Sequence, residues 1–242
     1  MMHILLWGAL PYAAFALLVS GLWWRYRYDR FGWTTRSSEV YETRLLNLAS
    51  PVFHYGILFV LAGHLTGLFV PASWTSAVGL TERPYHLFSL VGGTLAGVLT
   101  VAGLAVLVYR RRTNRPVFRA TTRNDKAMYL LLGGALCTGM YAKLAHSTPA
   151  HGYDYRSTLA PWARSLFTLR PDLGAMADVP VAYQVHAVVG MVLIAVVPFT
   201  RLVHMFSAPW WYLARPYIVY RSRPAGRPAE RPPRRGWESI DV

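Results

Sequence analysis

The chain has 242 residues, is 54% hydrophobic and carries a formal net charge of +14. A mean hydropathy of +0.26 beside a pI near 10.3 fits a polytopic membrane protein with basic loops. It argues against nucleic-acid binding, because the arginines lie between apolar runs of membrane length and not along one amphipathic face.

Five apolar runs of roughly 20 residues, the length that crosses a bilayer, follow in order: about 4–24, 49–70, 86–109, 127–146 and 181–203. Lipid leaves the helix as the only reading for segments of this length. The expected class is an all-α integral membrane protein with five transmembrane helices. The first run has no basic stretch ahead of it and no clear cleavage site, so it reads as a retained span. The second contains His54 and His64, with Gly56, Gly63 and Gly67 beside them. The third and fourth are rich in Gly and Ala, which suits close helix approach in lipid. Arg110, Arg111 and Arg112 end the third. They read either as a stop-transfer signal or as partners for the propionates of a haem.

Residues 147–180, with Pro149, Pro161, Pro171 and Pro180, form a long connection with a short interfacial helix expected around 162–169. The fifth run holds His186 and Gly190 and leads to Pro198 and His204. Residues 224–242 are a Pro/Arg-rich tail without a core of its own, which leaves 1–223 as the folded domain. There is no internal repeat. The single cysteine, Cys137, leaves no intrachain disulfide, no four-cysteine iron–sulfur site and no CxxCH attachment for c-type haem.

Lys and Arg counts in the connections and the tail run 5, 1, 7, 3, 7. Positive charge marks the cytoplasmic side, so the N-terminus is expected outside (periplasmic) and the C-terminus in the cytoplasm. The aromatics Trp23, Trp24, Trp33, Trp210, Trp211 and Tyr212 are expected as an interfacial belt. Arginines mixed with Trp33, Phe118, Trp210 and Tyr217 on the cytoplasmic side suit a protein partner or lipid headgroups.

Ionisable residues inside a span are costly and mark function, and neutral imidazole is a common axial ligand of haem iron. In antiparallel spans, His54 and His204 share the inner depth and His64 and His186 the outer. This predicts two non-covalent b haems, with His54 and His204 as the proximal pair and His64 and His186 as the distal pair. At ~1.5 Å per residue the two separations are about 15 Å and about 27 Å, a mismatch that tilt or a bend at Pro198 would absorb. On an unbroken helix His186 and His204 share a face. The bland alternative is four histidines hydrogen-bonded to neighbouring helices; another is a transporter with a polar path, although no repeat or pair of broken helices supports it. His3, His86, His146 and His151 read as interfacial or solvated. Gly56, Gly63, Gly67 and Gly190 flank the ligand positions, where a missing side chain lets a flat macrocycle approach.

Several motifs occur in order: Trp24-Arg25-Tyr26, Asn47-Leu-Ala-Ser50, Phe53-His54 with Gly56-Ile-Leu58, Gly63-His64 with Gly67, Arg119-Ala-Thr-Thr122, His186 with Gly190-Met191, Pro198-Phe-Thr-Arg-Leu-Val-His204, then Pro209 and Tyr212-Leu213. Across nearly the whole chain, up to about residue 223, they resemble the gamma subunit of membrane-bound respiratory nitrate reductase, a dihaem cytochrome b of the bacterial cell membrane. The resemblance implies oxidation of menaquinol or ubiquinol from the quinone pool near the distal haem. Electrons would then pass through the proximal haem to an iron–sulfur beta subunit and a molybdenum-cofactor alpha subunit, which reduces nitrate to nitrite. A haem b anchor of another molybdenum oxidoreductase is the nearest alternative. The implied quinol pocket includes Gly63 and Gly67, and quinol is expected at the outer haem around Gly63, His64, Gly67, Arg83 and His86. The family's lysine at the start of the third span is replaced by Pro84, with Arg83 and His86 the nearest cations.

Overall fold

The computed structural model describes residues 1–33, 37–146 and 153–207, and every regular element among them is helical. Five segments are long and apolar enough to cross a membrane: α1 (Met2–Tyr28), α2 (Arg44–Phe69), α3 (Glu82–Thr113), α4 (Arg123–His146) and Val181–Phe199. The last is α-helical, as α5, only over Val181–Val196. Expectations for Arg36, Pro149, His151, Trp210, Trp211, Tyr212, Tyr217 and the tail 224–242 fall outside the described residues.

The helices follow one another in space as α1, α5, α4, α3, α2, while α2 and α5 make little backbone contact. Small residues set the close approaches. A Cβ added at Gly56 would lie 2.8 Å from the Thr100 backbone nitrogen, and one at Gly103 would lie 2.6 Å from that of Phe53. This reciprocal pair lets α2 and α3 lie backbone to backbone, as small residues do in lipid. Gly56 therefore makes room for the third span, which corrects the expectation that it makes room for a macrocycle. Gly21 does the same between α1 and Pro198, whose Cβ would be 2.7 Å from an added Cβ.

Proline placement explains the outer end of α1. Pro11 has no N–H to give the Trp7 carbonyl four residues earlier. Instead Trp162 Nε1 donates to that carbonyl at 2.9 Å, and the two indoles meet edge to face at 5.7 Å. A short helix, Leu159–Ser165, brings Trp162 there. The helix expected around 162–169 exists, but its tryptophan is buried in a core with Trp7, Met176 and Met191. Trp23 and Trp24 remain exposed as a belt requires.

The fifth span departs from expectation. Its α-helix stops at Val196, passes through a tight turn at Val197–Phe199, and becomes extended at Thr200 before a 3₁₀ segment, Arg201–Phe206. Pro198 cannot continue the hydrogen-bond ladder, and Thr200 accepts a hydrogen bond from Leu202 N at 3.3 Å to start the new segment. His204 is thus not on the helix of His186, and the shared-face expectation for that pair is overturned. The break supplies the bend that the depth mismatch demanded.

Several arginines counted as loop charges are buried ties. Arg25 donates to the Pro198 carbonyl and, at 2.8 Å, to Asp29. Arg110, 1% exposed, donates to Glu42 Oε2 at 2.5 Å and Ser38 Oγ at 2.7 Å. The Leu45 N–H, and after it the Arg110 guanidinium, hold the Glu42 carboxyl below the usual glutamate range. Arg201 grips Asp125 of α4 through two guanidinium nitrogens.

Candidate haem-binding seam

The seam between α2 and α5 is bridged by the four histidines in the two expected pairs. His64 and His186 face each other with Nε2 atoms 3.5 Å apart and ring centroids at 5.8 Å. The rings of His54 and His204 have centroids 6.1 Å apart and planes at 69°. The structure thus brings His64 together with His186 and His54 together with His204.

Each ring is held by its Nδ1 side. His54 Nδ1 lies 2.7 Å from the Ser50 carbonyl, His64 Nδ1 2.8 Å from the Val60 carbonyl and His204 Nδ1 2.5 Å from the Arg201 carbonyl. A carbonyl only accepts, so these three nitrogens carry the proton and leave Nε2 with a free lone pair. His186 Nδ1 lies 3.3 Å from Thr138 Oγ1, whose own hydrogen is donated to the Gly134 carbonyl at 2.8 Å. Its Nε2 is therefore an acceptor as well. Two acceptors face each other across 3.5 Å, which is no hydrogen bond but a place for a cation. An imidazole whose second nitrogen is bonded to a carbonyl is the usual arrangement of a metal-bound histidine. Two imidazoles are too few for tetrahedral zinc, which takes four ligands, and match the two axial positions of a haem. Two metal–imidazole bonds of about 2.0 Å would need about 4 Å between nitrogens, close to the observed gap.

Beside the inner pair lies a cavity of about 450 Å³, within the usual range for a cofactor or small-ligand site. His54, His204, Phe53, Leu104, Met128 and Leu132 line it, and Ser50, Asn47, Arg110, Arg111 and Arg201 form its polar edge. Of the three consecutive arginines, Arg110 is engaged by Glu42 and Ser38. Arg111 is held by Tyr129 OH at 2.7 Å and Thr121 at 3.2 Å, and Arg112 lies over the Phe118 ring. Gly63 and Gly190 have open space where a Cβ would stand, whereas Gly67 is covered by Tyr155, whose hydroxyl would be 3.0 Å from an added Cβ. Among the described residues Arg83, exposed, and His86, half-buried, are joined to no other side chain by a hydrogen bond or ion pair.

Residues 3–223 match the family described as nitrate reductase gamma subunit. The chain belongs to the nitrate reductase gamma subunit family. It is 38% identical over 219 residues to the nitrate reductase gamma chain of Bacillus subtilis, covering 90% of this chain and 98% of that one. To the respiratory nitrate reductase 2 gamma chain of Escherichia coli it is 33% identical over 223 residues, 92% of this chain and 98% of that one. It is 52% identical over 238 residues to the nitrate reductase-like protein NarX of Mycobacterium tuberculosis, 98% of this chain but 36% of that protein. The chain thus spans about a third of the length of its NarX relatives.

Two contributors to the gamma-subunit seam escape a reading of the sequence. Thr138 anchors His186, and Gly139 leaves room for its ring: an added Cβ would lie 2.8 Å from His186 Cε1. Both sit on α4, 47 or more positions from the ring they serve. Only the alternation of small residues along the fourth run hinted at a close neighbour.

Proposed function

We propose that this gamma subunit is the haem b membrane anchor of a quinol:nitrate oxidoreductase in the bacterial cell membrane. Two b haems would be held by His64 with His186 and by His54 with His204. The observation that carries this reading is the outer pair of Nε2 acceptors, facing each other with Nδ1 of both rings tied back. Such imidazoles are preset to bind iron. Bound haem supplies reversible one-electron chemistry, with its potential set by axial ligands and burial.

The chain's own residues keep the two sites at different depths. Apolar side chains of α2, α3, α4 and α5 line the inner end of the seam, and the arginines gather at the inner cavity's edge. Quinol, an apolar ring with hydroxyl ends, suits a site at the outer pair, where Gly63 leaves space beside His64 and where Arg83 and His86 begin the third span. With the basic connections on the cytoplasmic side, the His54–His204 pair faces the cytoplasm. An iron–sulfur beta subunit and a molybdenum-bearing alpha subunit would dock there, or equivalent domains if this segment is joined to a longer chain as in NarX.

The test is haem content and quinol reactivity of the purified protein. A pyridine haemochrome assay is expected to give two b-type haems per chain, and a soluble quinol to reduce them. His64→Ala and His54→Ala should each remove a different one. One haem per chain, a c-type spectrum, or haems that quinol cannot reduce would overturn the reading.

A further inference from the structure

Lys143, one of two lysines in the chain, stands inside the fourth apolar run. Its Nζ lies 3.3 Å from Ser89 Oγ of α3, and Gly93 clears its path: a Cβ there would lie 3.0 Å from Lys143 Cε and Nζ. Ser89 Oγ lies 3.5 Å from Tyr155 OH, which lies 3.4 Å from Tyr85 OH. This chain of donors lies about one helical turn from the outer histidine pair on two sides. Gly139, which gives room to the His186 ring, is one turn before Lys143 on the same face of α4. Gly67, which Tyr155 covers, is one turn after His64 on α2.

The cluster is short of negative charge. Among the described residues no carboxylate lies within ion-pair distance of Lys143. The neighbouring Arg156 stacks 3.9 Å from the Tyr85 ring and has only Glu82 as an acidic partner, at 3.4 Å. Its side chain is 4% exposed, and its Nε is buried with no hydrogen-bond partner among the described residues. Unpaired charge at membrane depth is costly, so the site calls for an anion. A carboxylate fits: it accepts several hydrogen bonds at once, and its bonds to an ammonium are stronger than neutral ones.

We propose that Lys143, with Ser89 and Tyr155, binds a propionate carboxylate of the haem held by His64 and His186. The proposal rests on the haem reading given above. A quinol headgroup is the weaker occupant, because it brings no charge to offset the ammonium. A positive charge at the macrocycle's edge favours the electron-rich, reduced state, so Lys143 raises the potential of the outer haem and leaves the inner one alone.

Spectroelectrochemical titration of both haems in membranes carrying the whole protein tests this, with haem content measured in parallel. Lys143→Gln should make reduction of the haem that His64→Ala removes about tenfold less favourable, equivalent to about 59 mV for one electron. Lys143→Arg should restore it, and Tyr155→Phe should give a smaller shift of the same sign. An unchanged outer potential in Lys143→Gln with full haem content would overturn the proposal. So would slower quinol oxidation at an unchanged potential, which would assign Lys143 to the quinol instead. If Lys143→Gln loses the outer haem altogether, recovery of haem and potential in Lys143→Arg supports the proposal and failure to recover overturns it. A wild-type protein without haem at the outer pair would sink the haem reading itself, and that measurement comes first.

Discussion

A histidine becomes a ligand through the company of its other nitrogen. His54, His64 and His204 take that company from backbone carbonyls three or four residues earlier, a local arrangement that any helical stretch offers. His186 instead meets Thr138 and packs its ring against Gly139, both on another helix. The outer site is therefore the more sensitive to change on α4. Gly139→Leu should force the His186 ring aside at a cost of about 1–3 kcal/mol, enough for roughly tenfold less outer haem with the inner haem kept. Gly133→Ala is the matched control, since nothing lies within 4 Å of an added Cβ there. Equal loss of both haems in Gly139→Leu, read by low-temperature optical spectra, would contradict this account.

At the scale of the element, helix lengths were legible because a bilayer imposes about 20 apolar residues and few other structures use them. Which histidines come together was legible because two opposite crossings leave only one match in depth. The end of α5 was not. Residues 187–197 are uniformly apolar, and Pro198 alone does not say whether a helix kinks and continues or stops. It stops because Thr200 caps a new segment and Asp125, 76 positions earlier, holds Arg201 in place; no local pattern announces a partner that distant. The same holds for Gly56, whose neighbour is a backbone 44 residues on. Asp125→Asn should show how much the tie matters. The Asp125 side chain is 3% exposed and that of Arg201 10%, and breaking a buried pair from one side costs about 3–5 kcal/mol. Faster thermal inactivation in detergent is expected, with the inner haem lost first because His204 lies three residues beyond Arg201. Unchanged inactivation kinetics would mean that Pro198 and Thr200 fix the segment unaided.

For the whole molecule, the charge distribution and the buried ties make separate statements about the same arginines. Arg25, Arg110 and Arg156 are folded into the protein, yet the remaining connections keep the alternation that sets direction. Single-cysteine labelling in a Cys137→Ser background checks it. Positions near Ser76 and Asp172 should react with an impermeant reagent in intact cells, and positions near Arg115 only after permeabilisation. The reverse pattern would place the His54–His204 pair on the outer side and remove the rationale for a cytoplasmic electron acceptor.

The gap between α2 and α5 has a consequence for the life of the chain. Four helix contacts rest on interlocking glycines and side chains, but the fifth joint is bridged by facing imidazoles. With haem bound as proposed, the cofactors would act as keystones in that joint. A cell short of haem would make a ring with one loose seam, and its membrane proteases, reading looseness rather than sequence, should clear the chain. Haem supply would then set how much of the protein persists as well as how much of it works.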